Sequence, residues 1–154
     1  MACVGPWRGG ADTIAIEFKG LDALTAEFAE KADELLAAAS KVVQETAAGI
    51  EAGVKLRMQQ GPHTGRIYRR RGVVHRASGP GQPPAPDTEI LMNSTYHEMV
   101  SELTAAAGSR LLYAYYLEYG TFKMAARPAW TPEMMETEPE FKKEMELELG
   151  RVLK

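Results

Sequence analysis

From Asp22 to about Met58 the sequence has no proline and much alanine. Leu24, Phe28, Leu35, Ala39, Val42, Val43, Thr46, Ile50 and Val54 recur there at steps of three and four. That spacing puts the apolar side chains on one face of a single α-helix. Asp22 suits its N-cap, because a short side-chain oxygen satisfies amides of the first turn. At about 1.5 Å per residue the helix is roughly 50 Å long, longer than a globule of 154 residues is wide. Two readings follow: part of the stripe packs on another subunit, or the helix breaks near Gly49 and folds back. Gly49 and Gly53 each cost about 1 kcal/mol against alanine in a helix, and they also permit close packing or a bend.

The rest of the chain is shorter-paced. Ile14, Ile16 and Phe18 alternate with Ala15 and Glu17, a strand signal over Thr13–Phe18 that Gly20 ends. Residues 1–12 read as a flexible N-terminal tail and 13–154 as one domain. Gly61-Pro62-His63-Thr64-Gly65 stops the long helix, and Arg66–Ala77 reads as a strand pair. Ser78–Asp87 holds four prolines and two glycines, which makes it an extended loop. Ile90–Val100 alternates as a strand, Glu102–Ala107 is its candidate partner, and Gly108-Ser109 resembles a hairpin turn. Leu111–Tyr116 fits a strand or a short helix. Pro132 or Pro139 is suited to open a last helix carrying Phe141, Met145, Leu149 and Val152. The expected fold class is α+β: a long N-terminal helix packed on a small, mostly antiparallel sheet, with a C-terminal helix.

Charge is unevenly distributed although the net value is only −3. Between Glu51 and Asp87 no acidic residue occurs, while Lys55, Arg57, Arg66, Arg69, Arg70, Arg71 and Arg76 all do. Asp22–Glu51 carries seven acids against Lys31 and Lys41, and the C-terminal stretch carries Glu133, Glu136, Glu138, Glu140, Glu144, Glu146 and Glu148. Three readings stand side by side. The charges are ordinary solvated faces, or the basic segment of one subunit meets an acidic helix of the next, or segment 55–76 contacts DNA phosphates without sequence preference.

No catalytic constellation emerges. Gly79-Pro80-Gly81 lacks the Gly-Lys-Ser/Thr of a phosphate loop. His63, His75 and His97 lie in separate segments, and the single cysteine, Cys3, has no local activator. Asp87 and Glu89 read as a turn and a strand start rather than a carboxylate pair. The expectation is a protein without enzymatic activity or cofactor. No stretch reaches the roughly 18 apolar residues of a membrane span, and Met1–Ala11 lacks the apolar run of a signal peptide.

Two segments carry more information than composition. One runs Ala77-Ser78-Gly79-Pro80-Gly81-Gln82-Pro83-Pro84-Ala85-Pro86-Asp87-Thr88, followed by Leu91 and Ser94. The other runs Tyr113-Ala114-Tyr115-Tyr116-Leu117-Glu118-Tyr119-Gly120-Thr121, then Lys123-Met124-Ala125-Ala126-Arg127-Pro128. With Thr64-Gly65-Arg66 at the end of the long helix, they resemble the neck or tail-completion (head–tail joining) proteins of long-tailed bacteriophages, the lambdoid "gene product ten" type. The likeness extends from about residue 13 to 152. Glu89 stands where that family usually has Gly, and Ala129-Trp130 replaces its usual Phe-Leu.

The resemblance implies a structural virion protein, made in the host bacterial cytoplasm. It would assemble with itself as a ring, a hexamer being one such closure, between head connector or stopper proteins and the tail tube or tail terminator. Genomic DNA would pass through it. Under this reading the candidate interface residues are Arg66, Arg69, Arg70, Arg71, Arg76, Pro80, Pro83, Pro84, Tyr119, Gly120, Thr121, Lys123, Arg127 and Pro128. The stiff proline loop reaches a neighbour, Gly120 takes a positive φ after the tyrosine cluster, and Arg127 pairs with a neighbour's carboxylate or a local one.

Overall fold

A computed structural model describes residues 21–154. The Thr13–Phe18 strand, the N-terminal tail and Cys3 lie outside the described residues. The element order is α1 (Leu21–Gln60), β1 (Ile67–Arg70), β2 (Val73–Arg76), α2 (Ile90–Asn93), β3 (Thr95–Ser101), β4 (Thr104–Ser109), α3 (Leu112–Tyr119) and α4 (Trp130–Val152). The architecture is α+β, as the apolar spacing implied.

Helix α1 is continuous through Gly49 and Gly53 over 40 residues, about 60 Å, so the break near Gly49 does not occur. Asp22 stands inside the helix rather than ahead of it. Helix α4 lies antiparallel to α1. Near one end of the pair, the Arg57 guanidinium reaches the carboxylates of Glu133 and Glu136. At the other, Lys31 Nζ donates to the Val152 carbonyl at 3.4 Å. A Cβ on Gly53 would fall 1.8 Å from the Glu133 carboxylate, so the absent side chain leaves room for Glu133 to lie against α1. With 23 residues, α4 is about 35 Å long and leaves the first turns of α1 uncovered. There Phe28, on the heptad stripe that continues through Leu35 to the buried Val42, is 66% exposed.

The expected single sheet is instead two separate two-stranded ribbons, β1–β2 and β3–β4. In the first, Ile67 pairs with Arg76 and Arg70 with Val73, and Arg71 and Gly72 turn the chain with both residues at positive φ. In the second, Thr95 pairs with Ser109 and Ser101 with Thr104. Gly108 and Ser109 therefore sit inside β4, and the turn falls at Glu102-Leu103. The alternation from Ile90 is also only partly strand. Ile90–Asn93 is one helical turn, held by Ser94 N donating to the Ile90 carbonyl at 3.0 Å, and β3 starts at Thr95. Its apolar Ile90, Leu91 and Met92 fit a strand equally well by pattern, and the short hydrogen bonds following Glu89 decide against it. Pro132 and Pro139 both lie within α4, Pro132 in the first turn where its missing amide costs nothing.

The core is small and sits at one corner. Val54 and Met58 of α1 pack with Met92, Ala114, Ala129 and Trp130, with Ile50 and Leu91 at the margin. Helix α3, the start of α4 and the α2 turn thus close over the C-terminal third of α1.

Candidate partner interface

The two sequence segments that carry the family resemblance come together in space and fasten one another. Glu118 of α3 is only 8% exposed. Its Oε2 accepts from the amides of Ala129 (2.8 Å) and Trp130 (3.2 Å), and its Oε1 accepts from Thr131 at 2.7 Å. Those are the unpaired amides of the α4 N-terminus, so a carboxylate from a different helix caps α4 and meets the positive end of its dipole. Arg127 N donates to the Leu117 carbonyl at 2.6 Å, and Gly81 N to the Ala126 carbonyl at 2.8 Å.

Gly120 has φ 76, and a Cβ there would lie 2.8 Å from Ala126 N and 2.9 Å from the Met124 carbonyl. The positive φ expected of Gly120 is observed, and the close approach is a second reason that only glycine fits. No spacing rule in the sequence pointed to Glu118; the signs available were its place in the Tyr113–Thr121 segment, two residues before Gly120 and between two apolar neighbours.

The proline loop is bound mainly to its own chain. The Gln82 side-chain oxygen accepts from Gly79 N at 2.7 Å, and from Thr64 N and Thr64 Oγ1 at 3.1 Å each. Pro83 packs against Gly61, Pro84 is buried and Pro80 is exposed. Of the three prolines assigned to a neighbour's surface, Pro84 thus serves its own chain's interior, and Pro80 is the one left facing outward. Pro128 is half-buried behind the α4 cap.

Five large side chains of α3 are exposed: Leu112, Tyr113, Tyr115, Tyr116 and Tyr119. The Tyr115 and Tyr119 rings meet at a tilt of 49° with centroids 4.8 Å apart. Just beyond, Thr121 N and Met124 N exchange hydrogen bonds with the Met124 and Thr121 carbonyls at 2.8 and 3.1 Å. This tight turn presents Phe122 at 94% exposure, with Lys123 Nζ 5.1 Å from its ring centroid. Tyr119, Thr121 and Lys123 are thus all exposed at the end of α3 and the turn after it. A groove of about 520 Å³ runs between β4, α3 and the start of α4, with Trp130 and Met134 in its wall.

Arg127 is half-buried and lines a second cleft with Asp87, Glu89 and Tyr113. It makes no ion pair among the described residues. Glu89 adopts φ 59, the left-handed conformation for which glycine is the usual occupant.

The basic ribbon divides into two faces, because residues paired across antiparallel strands point the same way. Tyr68, His75, Arg70 and Val73 share one face. Tyr68 and His75 stack there at 5.7 Å. Asp87 ties that face down, taking Arg70 Nη1 at 2.6 Å and lying 3.3 Å from His75 Nε2. The Arg70 hydrogen bond holds the Asp87 carboxyl below the usual carboxylate range against the opposing effect of desolvation, while desolvation, then Asp87, pushes the Tyr68 hydroxyl up. The opposite face is Ile67, Arg69, Val74 and Arg76, all exposed. Arg66, Arg69, Arg71 and Arg76 find no carboxylate among the described residues. Arg70, counted with them in the sequence, is committed to Asp87.

Glu51 bridges α1 to the second ribbon. His97 Nδ1 lies 2.5 Å from its Oε2, and Lys55 bonds its other oxygen. The Lys55 hydrogen bond, then that of His97, holds its carboxyl below the usual range.

No group of three or more His, Cys, Asp or Glu side chains capable of holding a metal occurs among the described residues. No helix among them is long and apolar enough to cross a membrane. Compared with family models, curated proteins and solved structures, the chain matches none.

Proposed function

We propose that this chain is a non-enzymatic structural protein of a tailed-bacteriophage particle, acting as a homo-oligomeric ring at the head–tail neck or tail end. The observation that carries the self-assembling part is the apolar surface left bare by α3 and the turn after it. Leu112, Tyr115 and Tyr119 stand exposed along one groove beside Trp130 and Met134, and Phe122 is exposed on the turn that follows α3. Soluble chains rarely leave so large an aromatic patch unoccupied, and aromatic side chains are the favoured anchors of protein interfaces. The phage assignment rests on the resemblance of the two fastened segments, whose residues Glu118, Gly120 and Arg127-Pro128 each have a defined structural task here. Ring closure on the connector and tail tube, and a place in the virion, follow from that resemblance.

Two measurements test this. Light scattering of the purified chain, alone and with tail tube or connector protein, is expected to report an oligomer; monomer under every condition refutes self-assembly. A phage lacking the gene is expected to accumulate filled heads and separate tails, and normally joined particles refute the role.

A second reading has its own support. Arg66, Arg69, Arg71 and Arg76 are exposed cations without partners among the described residues, as a module that grips duplex phosphates requires. It predicts DNA affinity that falls steeply with salt, and absence of binding at low salt dismisses it.

A further inference from the structure

We infer that the cleft between the proline loop and α3 is a binding site for a carboxylate on a short apolar stem, anchored by Arg127. This goes beyond the self-assembling reading above and stands or falls without it.

A guanidinium withdrawn from water without an anion beside it is unfavourable. Arg127 is half-buried in the wall of this cleft, and its guanidinium makes no hydrogen bond or ion pair among the described residues. Only its main chain is engaged, by the bond from Arg127 N to the Leu117 carbonyl at 2.6 Å. Two acids share the cleft, and neither satisfies the cation. Asp87 gives one oxygen to Arg70 Nη1, and its other lies 3.3 Å from His75 Nε2. Glu89 is exposed to water and forms no ion pair among the described residues.

A second observation points to a ligand oxygen. Ser78 is 2% exposed and lines the same cleft, and its hydroxyl has no hydrogen-bond partner. Folded chains seldom leave a buried hydroxyl in that condition. The bond of 2.8 Å from Gly81 N to the Ala126 carbonyl holds the turn after Ser78 against the residue that precedes Arg127. The free cation and the free hydroxyl therefore belong to one cleft whose two sides are fastened together.

Shape and charge narrow the ligand. The cavity of about 210 Å³ exceeds the roughly 150 Å³ that accommodates benzene in an apolar protein cavity. Met58, Leu91, Met92 and Leu117 line it, which suits a hydrocarbon stem and disfavours a fully hydrated ion. Asp87 and Glu89 repel a dianion twice as strongly as a monoanion, so a monocarboxylate is preferred to phosphate. The guanidinium fork matches a carboxylate through two parallel hydrogen bonds. A free short-chain acid carries that group, and so does the glutamate side chain of a second copy. Only the latter source draws on self-assembly.

Butyrate is the probe, added to the full chain at a concentration where it sediments as a monomer. The methyl resonances of Met58 and Met92 report the cleft, and that of Met134, in the other groove, is the control. Butyrate is expected to shift the first two with a dissociation constant on the order of 1 mM, within reach of so small a ligand. Inorganic phosphate is expected to bind at least about 10-fold more weakly. Arg127→Gln is expected to reduce butyrate affinity at least about 10-fold, and Arg127→Lys to reduce it less, keeping the charge without the fork. Ser78→Ala is expected to weaken butyrate binding without lowering the urea midpoint, because it removes an unsatisfied buried hydroxyl. Glu89→Gln is expected to tighten binding. At higher protein concentration, butyrate disperses the oligomer if a neighbour's glutamate occupies the cleft and leaves it intact if the ligand is a free acid. Butyrate that shifts Met58 and Met92 no more than chloride does, or that binds the folded Arg127→Gln protein as well as the wild type, overturns the site, and self-assembly is then judged by sedimentation alone.

Discussion

The corner where α3 and α4 close over α1 and the distal parts of the molecule, the β1–β2 ribbon and the first turns of α1, obey opposite rules. At the corner, backbone groups of the loop and of the α4 start find their partners inside the chain. Glu118 takes three amides of α4, Gln82 takes two amides and a hydroxyl of its own loop region, and Gly120 lets two backbones touch. At the distal parts, apolar side chains face outward and cations and carboxylates stand unpaired at opposite ends. One region is finished by its own sequence; the other leaves its apolar and charged side chains facing outward. Stability and assembly are therefore expected to be separable by mutation.

The largest separation comes from truncating the core. Met58 is 1% exposed, and Met58→Ala removes its contacts with Trp130 and Met92 and leaves a cavity, at a cost of about 2–5 kcal/mol. Val74→Ala on the bare ribbon face is expected to change stability by less than about 0.5 kcal/mol while weakening self-association. Urea midpoints and sedimentation on the same two proteins check this. Equal midpoints would show that the ribbon is packed within its own chain.

Next in size is the cap. Glu118→Ala leaves three amides at the start of α4 without their acceptor in a buried setting, which costs about 2–4 kcal/mol. Gln in its place retains one carbonyl acceptor and loses the charge, so its cost is expected to be smaller. A Glu118→Gln variant as unstable as Glu118→Ala would mean that the charge on the helix dipole, rather than hydrogen bonding, carries the effect. Gly120→Ala meets Ala126 N at 2.8 Å in a positive-φ conformation and is expected to cost roughly 1–3 kcal/mol, again without touching the outward aromatic patch.

How far the sequence discloses these two regions depends on the range of the interaction involved. Helical periodicity is local, so α1 and α4 were legible, as was the Arg66–Ala77 strand pair, although not the place of its turn at Arg71-Gly72. The Ser78–Asp87 loop was legible because proline excludes the alternatives. What failed was local signal that tertiary contacts overrule. Ile90–Asn93 has a strand's pattern and a helix's hydrogen bonds, and Gly108-Ser109 has a turn's composition inside β4. Of the candidate interface residues, Tyr119, Thr121, Lys123, Arg69 and Arg76 are exposed, while Pro84 and Gly120 answer to their own chain. Glu118 was overlooked because its three partners lie more than ten residues away, where no spacing rule reaches.

The smallest effect concerns pH and tests whether the join between α1 and the β3–β4 ribbon belongs with the finished region. Glu51 accepts from Lys55 and pairs with His97, and its carboxyl titrates below the usual range. In the unfolded chain it titrates near about 4.3. A lowered folded value means that its stabilisation is complete above the unfolded pKa and disappears as pH falls through the folded one. Glu51→Gln is therefore expected to lower the urea midpoint at about pH 7, with the difference from wild type shrinking as pH is taken from about 5 toward 3. A difference that stays constant across that range would mean that the carboxylate charge contributes nothing and that the loss is one of shape alone.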